Sequence, residues 1–417
     1  MRQPERLDVF FGNELVGTVH DASPLAFAYA EPWLHRAESA PIAAIELKAG
    51  TQDSAAVQAF FENLLPEGEL RSYLAAQRKA STLFSLLLEV AGDTAGGFVI
   101  LPEGEVPEPA AYQITSWEAL AALLSGESAS AIDIKARHAR ISLAGAQEKT
   151  SLAIFDDGVP RLPKGTAPST HILKPDIRRL AKVWHSAANE AITMLTAVHC
   201  GLPTAQVFYE TRTQSCVVRR FDRVAQADGS IGRLIQYDLC QLAGTVSEKK
   251  YEKEGGPGIA ACAELIRRYS TQPAVDLRNF VLWIFFNLYV GNNDSHAKNL
   301  SLYRAPGGGV TLTPFYDLMC TRLYPGLSPE FAFAIGGETK PGSVTRAHVA
   351  AMAVQLRMRP AYVLGLAAEL AGKMPDAVER AAAGVMPALP AGAKALAGRL
   401  EKFVRATTKR GAARLAR

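Results

Sequence analysis

An apolar run from Phe280 to Val290, containing Trp283, Ile284, Phe285 and Phe286, ends abruptly in Gly291-Asn292-Asn293-Asp294-Ser295-His296-Ala297-Lys298-Asn299. The run is far too short to span a bilayer, so it reads as a buried helix. Gly-Asn-Asn then breaks the helix and starts a loop. The chain has 417 residues, too many for one compact core, so two or three domains are expected around that helix. No other run is long enough to cross a membrane, and Met1 to Arg6 precede no apolar signal core. Five scattered cysteines without a Cys-x-x-Cys pair suggest reduced thiols in a cytoplasmic protein, mostly small core residues. A net charge of +4 neither calls for nucleic acid nor excludes it.

The first block reads as a small α+β module. Leu7–Phe11, a turn at Gly12-Asn13 and Leu15–Val19 form a hairpin. Helices are expected over Ala56–Leu65, Glu69–Arg78 and Ser81–Val90, followed by a turn at Gly92–Gly97 into a strand. Glu103–Pro109, rich in Pro and Glu, reads as a linker. A helix and a connector are expected over 115–136. Strands are expected at Thr170–Lys174, Val207–Tyr209 and Cys216–Val218, with a helix around Asn189–Leu195. Beyond Arg223 the chain turns helical, from Gln236–Leu242 through Gly258–Tyr269 to Ala-rich segments after Thr345, with Pro314, Pro325, Pro341 and Pro375 as punctuation. The basic tail Arg405–Arg417 reads as a partner-binding arm or, better, a frayed terminus.

Several pieces point to phosphate chemistry. Asp294 and Asn299 are five positions apart, the Asp-x-x-x-x-Asn spacing of the base and metal-binding residues of protein kinases. After the strand-like Val310-Thr311-Leu312 comes Thr313-Pro314-Phe315-Tyr316-Asp317. A second Asp at a strand end, facing the first loop, suits a magnesium–phosphate site. Asn, Asp, Ser and His after a helix are also ordinary turn residues, so the loop alone does not decide. Ile141–Ile154 reads as strand–loop–strand, its small residues letting backbone N–H groups approach a phosphate. It lacks the second Gly of a P-loop before Lys149, and a plain hairpin turn fits it too. Lys174 ends a strand downstream, and Glu190 on the next helix could hold it as the helix Glu does in protein kinases; a lone surface Glu is the commoner case. Arg219–Arg223 follows a strand, where an edge backbone could bind adenine with Phe221 nearby, or could simply be a charged strand end.

Together, ISLAGAQEKT (141–150), HILKPD (171–176), RRFDR (219–223), YEKEGGPGI (251–259), NNDSHAKN (292–299), TPFYDL (313–318) and FFENLLPEG (60–68) resemble the HipA family, kinase toxins of bacterial toxin–antitoxin systems. The resemblance covers nearly the whole chain. It implies an ATP- and magnesium-dependent serine/threonine protein kinase in which Asp294 is the catalytic base and Lys174 contacts the ATP phosphates. Asn299 and Asp317 would hold magnesium, with Tyr316 beside them. Ala144, Gly145, Ala146, Gln147, Glu148 and Lys149 would form the phosphate loop, and Arg219, Arg220 and Phe221 the adenine-binding linker. His296, Ala297 and Lys298 would complete the catalytic loop, and Ser142 matches the serine that family members phosphorylate on themselves, with Thr150 and Ser151 as rival acceptors. Asn293 and Ser295 stand where some relatives carry Thr and Gly, and Arg219 where a Glu is common.

The expected fold is α+β: an N-terminal module over 1–108, then a two-lobed kinase fold resembling phosphatidylinositol kinases, its N-lobe over 137–221 and its mostly helical C-lobe over 222–417. By resemblance the substrate is an aminoacyl-tRNA synthetase and the partner a separately encoded helix-turn-helix antitoxin, through which alone DNA would be met; no membrane is involved. One rival is an inactive kinase-like co-repressor acting with that antitoxin. The intact set Lys174, Asp294, Asn299 and Asp317 argues against it. A phosphotransferase acting on a small molecule is the other rival.

Overall fold

The computed structural model describes residues 4–36, 40–90, 92–125, 148–178 and 180–417. Ser142 and Ala144, Gly145, Ala146 and Gln147 of the expected phosphate loop lie outside these residues, as does the connector 126–136. The chain divides into two compact units, each discontinuous in sequence. One comprises Met1–Ile172, Arg220–Lys249 and Tyr303–Gly308; the other Leu173–Arg219, Lys250–Leu302 and Gly309–Arg417. Among the described residues no helix is long and apolar enough to cross a membrane. All five cysteines are buried thiols.

In the first unit, the expected hairpin is the strand pair Arg6–Phe11 and Glu14–His20, which is antiparallel. Ala26–Tyr29 and Thr51–Gln52 extend it on one side and Phe98–Pro102 on the other. The helix Ala55–Asn63 contributes Phe60, whose ring meets Phe61, Phe98 and Tyr237 edge-on at centroid distances of 5.0, 5.9 and 6.0 Å. Tyr237 is far away in sequence, on the strand Gln236–Asp238. Helix was expected throughout Gln236–Leu242, but only Leu239–Leu242 is helical, begun by a capping box between Asp238 and Gln241. That cap fixes the start, because Asp238 keeps extended backbone while its carboxylate accepts from the Gln241 N–H.

Two of the sequence motifs prove to be internal ties of this unit. In FFENLLPEG, the Glu62 carboxylate is buried and accepts from the Ser247 N–H at 2.9 Å, the Ser247 hydroxyl at 2.8 Å and Arg71 at 2.7 Å. Asn63 Nδ2 donates to the carbonyls of Ala59 and Thr245. In RRFDR, Arg220 binds Asp222 through Nε at 2.9 Å and Nη2 at 2.7 Å, and Arg223 reaches Asp93 at 2.7 Å. Ser169 Oγ donates to the same Asp93. Burial opposes ionisation of Asp222, but Arg220 and Arg223 outweigh it and hold its pKa near 2. Three guanidiniums, Arg220, Arg223 and Arg233, thus face two carboxylates, and each of these charges has an opposite partner.

The strands Ala111–Ile114, Pro160–Lys164 and Thr150–Ile154 form antiparallel neighbours in the same unit. Glu148 and Lys149 lead into the last of them.

The second unit begins inside the strand His171–Lys174 and includes the hairpin Val207–Glu210 with Ser215–Arg219. Its remaining mass is helical. The helix Pro273–Val290 is buried without interruption from Phe280 to its end, as its apolar run requires. Trp283 lies at its centre, with the rings of Phe280, Phe315 and Phe333 at 6.3, 6.3 and 6.1 Å. Pro360–Val385 packs on Ser186–His199 and on Ala391–Ala416.

Two expectations fail here. Pro375 does not end a helix; it lies inside Pro360–Val385, which continues past it. The basic tail is not frayed but is the last half of the helix Ala391–Ala416. Thr407 Oγ1 donates to the Tyr289 carbonyl at 2.6 Å, Arg414 Nη2 to the Pro341 carbonyl at 3.0 Å, and Leu415 is buried. These long-range contacts supply what a terminal charge run lacks on its own.

Gly291 ends the Pro273–Val290 helix with φ 78°, a left-handed conformation that an L side chain adopts at a cost. An added Cβ would lie 2.7 Å from Phe403 Cε1. Gly291→Ala should therefore lower unfolding stability by about 1–3 kcal/mol. A urea midpoint equal to that of the native sequence would contradict this reading of the helix end.

Candidate active site

The loop after this helix is held from within by its own amides. Gly291 N–H and Asn292 N–H both donate to the Asn287 carbonyl, at 3.0 and 2.9 Å. Asn287 Nδ2 donates to the Trp283 carbonyl, and its Oδ1 accepts from Asn292 Nδ2 at 2.8 Å. Asn292 Oδ1 in turn accepts from the Asp294 N–H, and its carbonyl from Ser295 Oγ. Asn293 donates through its N–H to Thr321 Oγ1 and through Nδ2 to the Ser328 carbonyl. Asn292, Asn293 and Ser295 are thus buried scaffold. An unmade hydrogen bond at such sites costs about 1–3 kcal/mol each. Asp294 differs: its side chain is 53% exposed, the one acidic group of the loop that faces outward.

Asn299 closes the loop by donating from Nδ2 to the Asp294 carbonyl at 3.0 Å. With that nitrogen committed, its Oδ1 is the atom suited to a cation. His296 Nε2 lies 3.9 Å from Asp294 Oδ1. The next segment is tied to this loop by Tyr316, whose hydroxyl donates to the Lys298 carbonyl at 3.1 Å and pairs with Ser301 Oγ at 2.7 Å. Phe315 is buried and bound on both sides, its N–H to the Pro203 carbonyl and its carbonyl to the Ala205 N–H. Asp317 follows on irregular backbone with φ 58°; the strand ends earlier, at Leu312, so the expected strand-end Asp lies beyond the strand. A non-glycine residue in this region is strained, a feature that gathers at functional sites.

Lys174, Glu190 and Asp317 meet. The Lys174 ammonium is 2.5 Å from Glu190 Oε1 and 2.7 Å from Asp317 Oδ1. Burial disfavours the lysine's charge, yet Asp317 and then Glu190 outweigh it and raise its pKa. The lysine is therefore a permanent cation. Glu190 is buried, whereas the Asp317 side chain is 44% exposed. Beside Glu190 on the same helix, Asn189 donates from Nδ2 to the Cys320 carbonyl and to Tyr324 Oη, and its Oδ1 accepts from the Cys320 N–H. It thereby clamps the helix to the segment following Asp317. Sequence reasoning read Asn292 only as part of the Gly-Asn-Asn helix break and gave Asn189 no role; the available signal was a carboxamide within or at the end of a helix.

The Asn299 amide oxygen and the Asp317 carboxylate are both donor types that suit a hard cation. Among the described residues no group of three or more His, Cys, Asp or Glu side chains forms a metal cage. Magnesium needs no such cage where one or two protein oxygens act with substrate phosphates and water.

The proposed adenine linker is arranged differently on its two sides. In the second unit Arg219 N–H donates to the Gln206 carbonyl and its guanidinium to Gln206 Oε1. In the first unit Arg220 N–H donates to the Thr170 carbonyl, its guanidinium is committed to Asp93 and Asp222, and Phe221 packs edge-on against Tyr303. Glu148 and Lys149 are partly exposed in that same unit.

The model of the HipA-like C-terminal domain matches residues 141–378, and that of the HipA N-terminal domain residues 7–101. "Putative kinase Y4mE" of Sinorhizobium fredii is 36% identical over 354 residues, 79% of this chain and 80% of that protein. The "serine/threonine-protein kinase toxin HipA" of Shewanella oneidensis is 29% identical over 391 residues, 89% of this chain and 88% of that one. A solved chain from the Shewanella oneidensis complex of HipA, HipB and operator DNA has the same fold, with a TM-score of 0.81 and 24% identity over 98% of each chain.

Lys174→Met removes the ammonium that offsets the buried Glu190 charge. It should destabilise the protein by about 3–5 kcal/mol, and adding Glu190→Gln should recover a large part. Calorimetric unfolding of both variants checks this; an unchanged Lys174→Met transition would show that the pair does not hold the structure.

Proposed function

The chain belongs to the HipA family, and from that premise we propose that it is an ATP- and magnesium-dependent serine/threonine protein kinase acting as the toxin of a toxin–antitoxin pair. The observation that carries the reading is the meeting of Lys174 with Glu190 and Asp317, whose neighbour Tyr316 is tied to the loop that buries its amides and exposes Asp294. Bound magnesium would offset charge on the phosphates. Asn299 and Asp317 would hold it, and Lys174 would face the phosphates as a fixed positive charge. Asp294 would orient an acceptor hydroxyl and take its proton. His296, Ala297 and Lys298 hold the loop in which Asp294 sits.

The finer roles rest on the sequence resemblance. They are a phosphate loop over Ala144–Lys149, adenine recognition by the remaining backbone groups of Arg219–Phe221, and self-phosphorylation at Ser142. An aminoacyl-tRNA synthetase is the proposed substrate. The relative solved with HipB and operator DNA supports a separately encoded DNA-binding antitoxin as partner.

Asp294→Ala should lower phosphoryl transfer from ATP by about 10²–10⁴-fold while the protein stays folded, because the side chain is half exposed. Near-normal transfer by that variant would remove Asp294 from the mechanism. In calorimetric titrations, Asp317→Asn and Asn299→Ala should lose most of the gain in ATP affinity that magnesium gives the native sequence. A gain that is unchanged in both variants would overturn the metal assignment.

A further inference from the structure

The segment that begins at Tyr251 has no part in the reaction described so far, yet it reaches the proposed base. Tyr251 opens the short turn Glu252–Glu254, which ends at Gly255 with φ 91°. The Tyr251 carbonyl accepts from the N–H groups of Glu254 and Gly256, both at 3.0 Å. Glu252 accepts from the Ala334 N–H at 2.7 Å and lies under Gly258, where a Cβ would come 2.4 Å from its Oε1. The tyrosine's backbone is thus fixed from beneath.

Its side chain is fixed as well. The ring stands edge-on against His296, with centroids 5.1 Å apart and an interplanar angle of 87°. The Lys250 ammonium lies 5.4 Å from the ring centroid, over its face. The phenol hydroxyl donates to Asp294 Oδ1, the same oxygen that His296 Nε2 approaches.

An aspartate carboxylate rotates easily, because its last torsion is broad and nearly two-fold. A half-exposed one has no packing to stop it. We propose that Tyr251 is a positioning residue for phosphoryl transfer: by holding Oδ1 it turns Asp294 Oδ2 toward the acceptor hydroxyl. In the step, the acceptor oxygen forms its bond to the γ-phosphorus as the bond to the ADP oxygen breaks. The hydroxyl proton passes to Asp294 Oδ2, and Tyr251 keeps its own proton throughout. This inference rests on Asp294 being the base.

The test compares the native sequence, Tyr251→Phe and Asp294→Ala in transfer of label from [γ-³²P]ATP to the proteins of a bacterial lysate, over a range of ATP concentrations. Tyr251→Phe keeps the ring against His296 and removes only the hydroxyl. It should lower the rate at saturating ATP by roughly 10–100-fold and leave the half-saturating ATP concentration unchanged. A purely structural tyrosine would give native rates. Native or raised rates in Tyr251→Phe, with Asp294→Ala inactive, would overturn this inference and leave the kinase reading standing. A shifted half-saturating ATP concentration would also overturn it, by placing Tyr251 in nucleotide binding. No transfer by the native sequence, or full transfer by Asp294→Ala, would overturn both.

Discussion

The site depends on one buried cation between two carboxylates. Lys174 is buried, and Asp317 and Glu190 outweigh the cost of that burial and favour its charged form. The two partners are not equivalent. Glu190 is enclosed and lies on a helix that Asn189 clamps to Cys320 and Tyr324, so it fixes the lysine's position. Asp317 is half exposed on strained backbone, so it is the partner whose carboxylate a second cation can share. A lysine held in this way keeps a preset charge, and in the proposed reaction it would need no reorganisation to face phosphates, which is how electrostatic stabilisation is made effective.

The loop that follows the buried helix divides its labour by burial. Asn292, Asn293 and Ser295 turn their side-chain and backbone donors to partners inside the protein, while Asp294 turns its acid outward. The same division explains the motifs of the first unit. RRFDR and FFENLLPEG carry charged residues that look chemical in sequence, but Arg220, Asp222, Arg223 and Glu62 are buried ties. Arg220 and Asp222 pair within the motif, but Asp93, Ser169 and Ser247 lie far along the chain, so the remaining ties form only on folding.

Much of the fold was legible where the pattern is local. The hairpin Leu7–Val19 and the buried helix ending at Gly291 follow from periodicity and turn residues, and the family was legible through the resemblance of its motifs. The pairing of Lys174 with Glu190 was legible as a possibility from chain order, and its burial was not. Pro375 was misjudged because a proline's local cost can be overridden by packing along a long helix. The tail was misjudged because Thr407 and Leu415 find their places only against distant residues. YEKEGGPGI was legible as a family motif, but the contact of its Tyr251 with Asp294 was not, because nothing next to it in sequence marks that interaction.

The central claim is that this arrangement transfers a phosphoryl group from ATP to serine or threonine hydroxyls of a protein. Incubation with [γ-³²P]ATP and a bacterial lysate, followed by acid hydrolysis of the labelled material and separation of its phosphoamino acids, tests it directly. The account predicts label in phosphoserine or phosphothreonine of a few discrete proteins. Label confined to small molecules, or released only as inorganic phosphate, would contradict it.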